Sequence, residues 1–130
     1  MTMDVLIADP GGRGQALARK VAESPLVDEI FMAPGNPGSE DFAVNTDIEA
    51  TDIERQIELV RRNKRIGLVV LSADDTLARG GVDRFQEEFQ SRDLHVWGPT
   101  AAAHQIESSK SYAKRIMAAR KIPTAAYDLV

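Results

Sequence analysis

"LIADPGGRGQAL", residues Leu6–Leu17, changes character halfway along. A continuous apolar run ends on Asp9 and Pro10, three glycines surround Arg13, and Leu17 and Val21 then recur at a helical interval. Strands buried on both faces read as unbroken apolar runs, whereas amphipathic helices repeat every three or four residues. The stretch therefore predicts a strand, a glycine-rich turn and a helix, which is the opening of a βαβ unit.

The same alternation continues outward. "DVLIA" (Asp4–Ala8), "EIFMA" (Glu29–Ala33), "GLVVLS" (Gly67–Ser72) and "LHVWG" (Leu94–Gly98) are short apolar runs, and "FAVNT" (Phe42–Thr46) is a further short strand. Between them Ile53, Ile57 and Val60, then Val82, Phe85 and Phe89, mark amphipathic helices, the first capped by Thr51 or Asp52. After the last strand, "PTAAAHQIESSKSYAKRIMAARK" reads as two helices broken near Glu107–Ser109, with Tyr112 and Ile116 on one face and Pro123 as the stop. Right-handed crossovers place helices on both faces of an open, mainly parallel sheet, so the predicted fold is three-layer α/β. Trp97, inside an apolar run, is expected in the core.

Composition narrows the function. A chain of 130 residues is the size of one domain. Sixteen basic against 20 acidic residues leave a net charge of −4, the wrong sign for broad capture of nucleic acid. The basic cluster Arg61, Arg62, Lys64 and Arg65 reads as cations complementing a helix C-terminus. No apolar run is long enough to span a bilayer, and the start "MTMDVLIAD" lacks the basic region of a secretory signal, so a cytoplasmic setting and no membrane partner are expected. Without cysteine there is no thiolate chemistry. His95 and His104 fall on different elements without a nucleophile or carboxylate constellation, so neither a catalytic residue nor a metal ligand is predicted.

Ligands of an open parallel sheet gather at the carboxyl ends of its strands, near the point where strand order reverses. Four loops qualify: "DPGGRG", "PGNPGSED", "SADDTLARGG" and "GPT". The glycine spacing matches neither a dinucleotide-binding fingerprint nor a P-loop, so a generic nicotinamide or ATP site is not indicated. Asp9 and "ADD" suggest a receiver-like acidic pocket, but "GPT" after "LHVW" does not supply the lysine such a pocket needs.

Taken in order, "GGR" followed by "AL", then "SPLVDEIFMAPGNPG", "LARGGVD" and "WGPTAAAHQIESSKSYAKRIMAARKIPTAAY", resemble the N-terminal domain of the phosphoribosylamine–glycine ligase family, in the ATP-grasp superfamily. The likeness covers essentially the whole chain, and "APGNPG" (Ala33–Gly38) and "SK…AK…IPTA" are its most telling pieces. It implies a biotin-carboxylase N-terminal-like, pre-ATP-grasp fold over residues 1–122, with 123–130 starting a linker to an ATP-grasp domain. It also implies a part in the ATP- and Mg²⁺-dependent joining of 5-phosphoribosylamine and glycine in purine synthesis. One wall of the phosphoribosyl site would come from this domain, and the ATP and metal contacts mainly from those that follow. The substrate-binding positions so implied are Gly11, Gly12, Arg13, Asn36, Gly38 and Asp74. Lys110 matches a Ser–Lys step directed toward ATP phosphates; a solvent-facing helix lysine is the equal alternative, and Arg79 and Lys114 read as surface residues.

Two loops depart from the family pattern. Where the family reads G-S-G-G-R-E-H-A-L, Gly11, Gly12, Arg13, Ala16 and Leu17 match, but Asp9, Pro10, Gly14 and Gln15 do not. Asp9 puts a carboxylate where a phosphate would approach, Pro10 deletes an N–H donor, and Gly14 removes an acidic contact. Arg13 still offers a guanidinium fork. The turn is thus expected to keep its shape with a weakened anion site. Where the family reads G-P-E-A-P-L, Ser72–Leu77 keep a carboxylate at Asp74 and add a second at Asp75. Two functional readings stand: a ligase N-terminal domain, inactive alone and without a cofactor of its own, or a stand-alone binding module for a phosphorylated ligand or a protein. Self-association or pairing with an ATP-grasp domain is compatible with either.

Overall fold

The computed structural model describes residues 1–127. Its centre is the strand β1 (Met3–Asp9), which lies between β2 (Val27–Pro34) and β4 (Ile66–Leu71) and pairs in parallel with both. β3 (Val44–Asn45) and β5 (His95–Trp97) complete a five-stranded parallel sheet of order β3-β2-β1-β4-β5. The chain builds outward from β1 to β3 on one side, then crosses back to add β4 and β5 on the other. Strand order therefore reverses between β1 and β4.

Strand side chains alternate between the faces of a sheet, and β1 shows why its sequence does not. Leu6 and Ala8 point into one apolar layer with Ile57, Val60 and Phe85, brought by the helices α2 (Ile53–Arg62) and α4 (Gly81–Glu88). Val5 and Ile7 point into the other, with Met32, Val70 and Ala18 of α1 (Gly12–Val21). Both faces are covered, so every position from Val5 to Ala8 is apolar and fully buried.

The remaining helices are α3 (Asp74–Ala78), before α4, and α5 (Ala101–Ser108) and α6 (Lys110–Ala119), after β5. Asp52 caps α2, its side chain accepting from the Arg55 N–H at 3.2 Å. Ser109 ends α5 and caps α6, accepting from the Tyr112 N–H at 3.3 Å. α6 stops at Ala119, ahead of Pro123, with Lys121 in a left-handed conformation.

Two expectations are corrected. Trp97 is 58% exposed, not core. It lies on a three-residue edge strand with a sheet neighbour on one side only, and exposed His95 shares that edge. An apolar run at a sheet edge lacks the second layer that buries β1. Pro123, likewise, is not the residue that terminates α6.

Three of the four cations of the basic cluster near the end of α2 are paired internally. Arg61 pairs with Glu58 and Glu88, Arg62 with Glu58, and Arg65 with Asp4 and Asp28. Arg92 closes the same corner, its guanidinium donating to the Val60 and Lys64 carbonyls at 2.8 and 3.1 Å while lying over the Phe89 ring. Among the described residues no helix is long and apolar enough to cross a membrane. Of the expected linker 123–130, residues 128–130 lie outside the described residues.

Candidate functional site

The carboxyl ends of β1 and β4 open on a cleft of about 560 Å³. β1 and the start of α1 supply Asp9, Gly11 and Arg13; the segment after β3 supplies Glu49–Thr51; and the start of α3 supplies Ala73–Asp75. It sits where strand order reverses, the place at which open α/β sheets bind ligands.

Asp9 organises the first wall. Its carboxylate is almost completely buried, with Oδ1 accepting from the Gly11 N–H at 2.7 Å. Oδ2 accepts from the Ser72 hydroxyl at 2.7 Å and from Arg13 Nε at 3.0 Å. Burial pushes the Asp9 carboxyl up, but the Gly11 N–H, the Ser72 hydroxyl and the Arg13 guanidinium more than offset it and hold it below its ordinary value. The Asp9 hydrogen bond in turn raises Arg13. Arg13 remains half-exposed, and its outer Nη1 reaches Asp74 Oδ1 at 3.5 Å.

Gly14 explains how a carboxylate fits here. A Cβ at this position would lie 2.5 Å from Asp9 Cβ and 3.1 Å from the Asp9 carbonyl oxygen, so the first turn of α1 rests directly on the Asp9 side chain. Two of the departures from the family loop, Asp9 and Gly14, are thus one steric unit: a side chain at 9 demands none at 14.

The "APGNPG" turn is a bracket for this wall. Asn36 Oδ1 accepts from the Gly38 N–H at 2.9 Å, while its Nδ2 donates to the Pro10 and Gly11 carbonyls, each at 3.2 Å. A Cβ on Gly38 would meet the Gln15 amide at 2.5 Å. Gly35 has φ +80° and is backed by Asn45, which bonds the Asn36 carbonyl at 2.7 Å. Asn36 and Gly38 therefore hold loop to loop, and neither lines the cleft.

Of the residues singled out in the sequence, Gly11, Arg13 and Asp74 converge on the cleft. Gly12 is exposed beside them, with open space where a Cβ would stand. Lys110 is exposed on the first residue of α6 and does not line it. His104 is buried on α5, and His95 is exposed. Among the described residues no three of the histidines and carboxylates gather closely enough to hold a metal ion.

Sequence reasoning missed the wall after β3. Glu49–Thr51 carry no glycine and no motif, but two buried polar side chains hold them: Gln56 Nε2 donates to the Glu49 and Ala50 carbonyls at 2.9 and 2.7 Å, and Thr76 Oγ1 to that of Ala50 at 2.5 Å. Gln56 and Thr76 on otherwise apolar helix faces were the available signal. The finished cleft carries the carboxylates of Asp9, Glu49, Asp74 and Asp75 against one guanidinium, that of Arg13.

Comparison with known proteins gives the family. A family model described as phosphoribosylglycinamide synthetase, N domain, matches residues 3–107. A phosphoribosylamine–glycine ligase of Haemophilus influenzae is 44% identical over 128 residues, which cover 97% of this chain and 29% of that protein. The Escherichia coli K12 enzyme of that name is 42% identical with the same coverage, and that of Halalkalibacterium halodurans 41% identical over 98% of this chain and 28% of its own length. The chain thus spans less than a third of the length of the curated relatives it matches.

Proposed function

The chain belongs to the phosphoribosylglycinamide synthetase N-domain family, and on that premise we propose that its cleft is the substrate-side wall of a phosphoribosylamine–glycine ligase. The observation that carries this is the convergence of Gly11, Arg13 and Asp74, from two separate loops, on one cleft at the strand-order reversal. Arg13 and the Asp74 carboxylate face a ligand directly, Gly11 and Gly12 keep the turn open, and Asn36 and Gly38 fix its position.

ATP and Mg²⁺ belong to this proposal for the full-length relatives rather than for the cleft itself. When bound, ATP activates a carboxylate for attack by an amine. The described residues offer that chemistry only Lys110, exposed outside the cleft. Residues 1–122 act as the domain and 123–130 as a connection toward an ATP-grasp partner, in the cytoplasm. Ligation needs ATP held against the acceptor with water excluded, and this open cleft alone does not achieve that. A second reading, a binding module working without ligation, is favoured by the buried Asp9.

Titration of ribose 5-phosphate into isotopically labelled protein tests the reading. Backbone amide shifts are expected at Gly11–Arg13, Glu49–Thr51 and Asp74. Shifts confined elsewhere, or none, overturn the substrate-wall assignment. The 130-residue chain is also expected to release no ADP from ATP in the presence of phosphoribosylamine and glycine.

A further inference from the structure

We propose that Asp9 is the specificity-determining residue of this cleft: its carboxylate is a resident anion at the start of α1 that keeps a phosphate out of the glycine-rich turn. The proposal rests on the cleft being a substrate wall and says which end of the substrate meets this turn. The sugar hydroxyls and amine face it, and the phosphate lies elsewhere.

Three of the donors that a phosphate would take are already used. The Gly11 N–H, Arg13 Nε and the Ser72 hydroxyl all point at the Asp9 carboxylate within 3.0 Å, and Pro10 has no N–H to offer. The Asp9 side chain is 3% exposed and seated against the bare Cα of Gly14, so it does not swing aside without unpacking the first turn of the helix. A second anion would stand beside a charge that solvent scarcely screens, where like-charge repulsion is strongest.

The rest of the cleft repeats that sign. Arg13 spends its inner edge on Asp9 and turns its outer edge to Asp74, while Glu49 and Asp75 carry no guanidinium partner among the described contacts. A hydroxyl or an ammonium meets acceptors here, and a phosphate meets repulsion.

Inorganic phosphate is the probe, because it reads the anion site without the sugar. Wild type, Asp9→Asn and Asp9→Gly are titrated while amide shifts of Gly11, Gly12 and Arg13 are followed. Wild type is expected to bind phosphate at these amides at least about fivefold more weakly than either variant. Asp9→Asn keeps the side-chain volume and the acceptor for the Gly11 N–H, so the test survives if Asp9→Gly does not fold. Equal affinity in wild type and Asp9→Asn overturns the proposal, as does failure of both variants to bind phosphate. Ribose 5-phosphate separates this result from the substrate-wall reading: if it moves no cleft amide in wild type, that reading fails, whereas the role of Asp9 is decided by inorganic phosphate.

Discussion

The turn at the end of β1 and the α5–α6 hairpin lie at opposite extremes of packing. At the turn, both carboxylate oxygens of Asp9 are hydrogen-bonded and the helix above touches it at Gly14. In the hairpin, α6 has no buried residue, and Ile106 of α5 is 53% exposed. The hairpin holds itself through caps and its own ends: Thr100 and Ser109 cap the helices, and Lys114 Nζ lies 5.0 Å from the centroid of the Tyr127 ring. Sites built where strands end inherit the rigidity of the sheet, whereas α6 buries no residue and α5 is tied to the domain through buried His104 and the Ala101 N–H, which donates to Asp83 Oδ2 at 2.8 Å. Substitutions should therefore cost much at the turn and little at the hairpin.

The largest effect is expected at Gly14. Gly14→Ala places a methyl group 2.5 Å from Asp9 Cβ, and either the carboxylate leaves its three donors or α1 lifts from β1. Overpacking of this kind costs about 3 kcal/mol, read as a lower urea midpoint. A loss below about 1 kcal/mol would show that the turn is as yielding as the hairpin.

A smaller, pH-dependent effect belongs to Asp9. The folded protein holds this carboxyl below its ordinary value, so the stabilisation is fully present above the unfolded value of about 4 and lost as pH falls through the folded value. Asp9→Asn keeps the shape and removes the titration. It should cost about 1–2 kcal/mol near neutrality, and the gap to wild type should narrow as the solution is acidified below about pH 4. Parallel stability curves for the two proteins down to about pH 2 would mean that Asp9 carries no charge-dependent stabilisation.

The contrast between the regions also governs what could be read in advance. Val5–Ala8 revealed themselves because burial on both faces leaves no polar position, and the helices over them showed their period at Ile57, Val60 and Phe85. "LHVWG" presents the same apolar letters at a sheet edge, and nothing local distinguishes Trp97 from a core residue; only strand order does. Within the site, Arg13 and Asp74 were legible from the loops that carry them. The wall at Glu49–Thr51 was not, because it is positioned by Gln56 and Thr76 from other elements. The role of Asp9 was half legible. Its charge was visible in the sequence, but its seat on Gly14 is a contact through space between two turns of chain.

The smallest effect is expected in the hairpin. Ile106→Ala removes an exposed side chain from a helix whose buried residue is His104, and alanine is the better helix former. Little apolar area leaves water on folding at this position, and the gain in helix propensity offsets part of it. The change in stability should stay within about 0.5 kcal/mol, with the urea midpoint scarcely moved. Hydrogen exchange in wild type supplies the companion measurement: amides of α6 should open by local fluctuation and exchange well before those of β1, whose protection should approach the global unfolding free energy. A cost above about 1 kcal/mol for Ile106→Ala, together with α6 protection equal to that of β1, would place the hairpin in the same cooperative unit as the turn and erase the distinction between them.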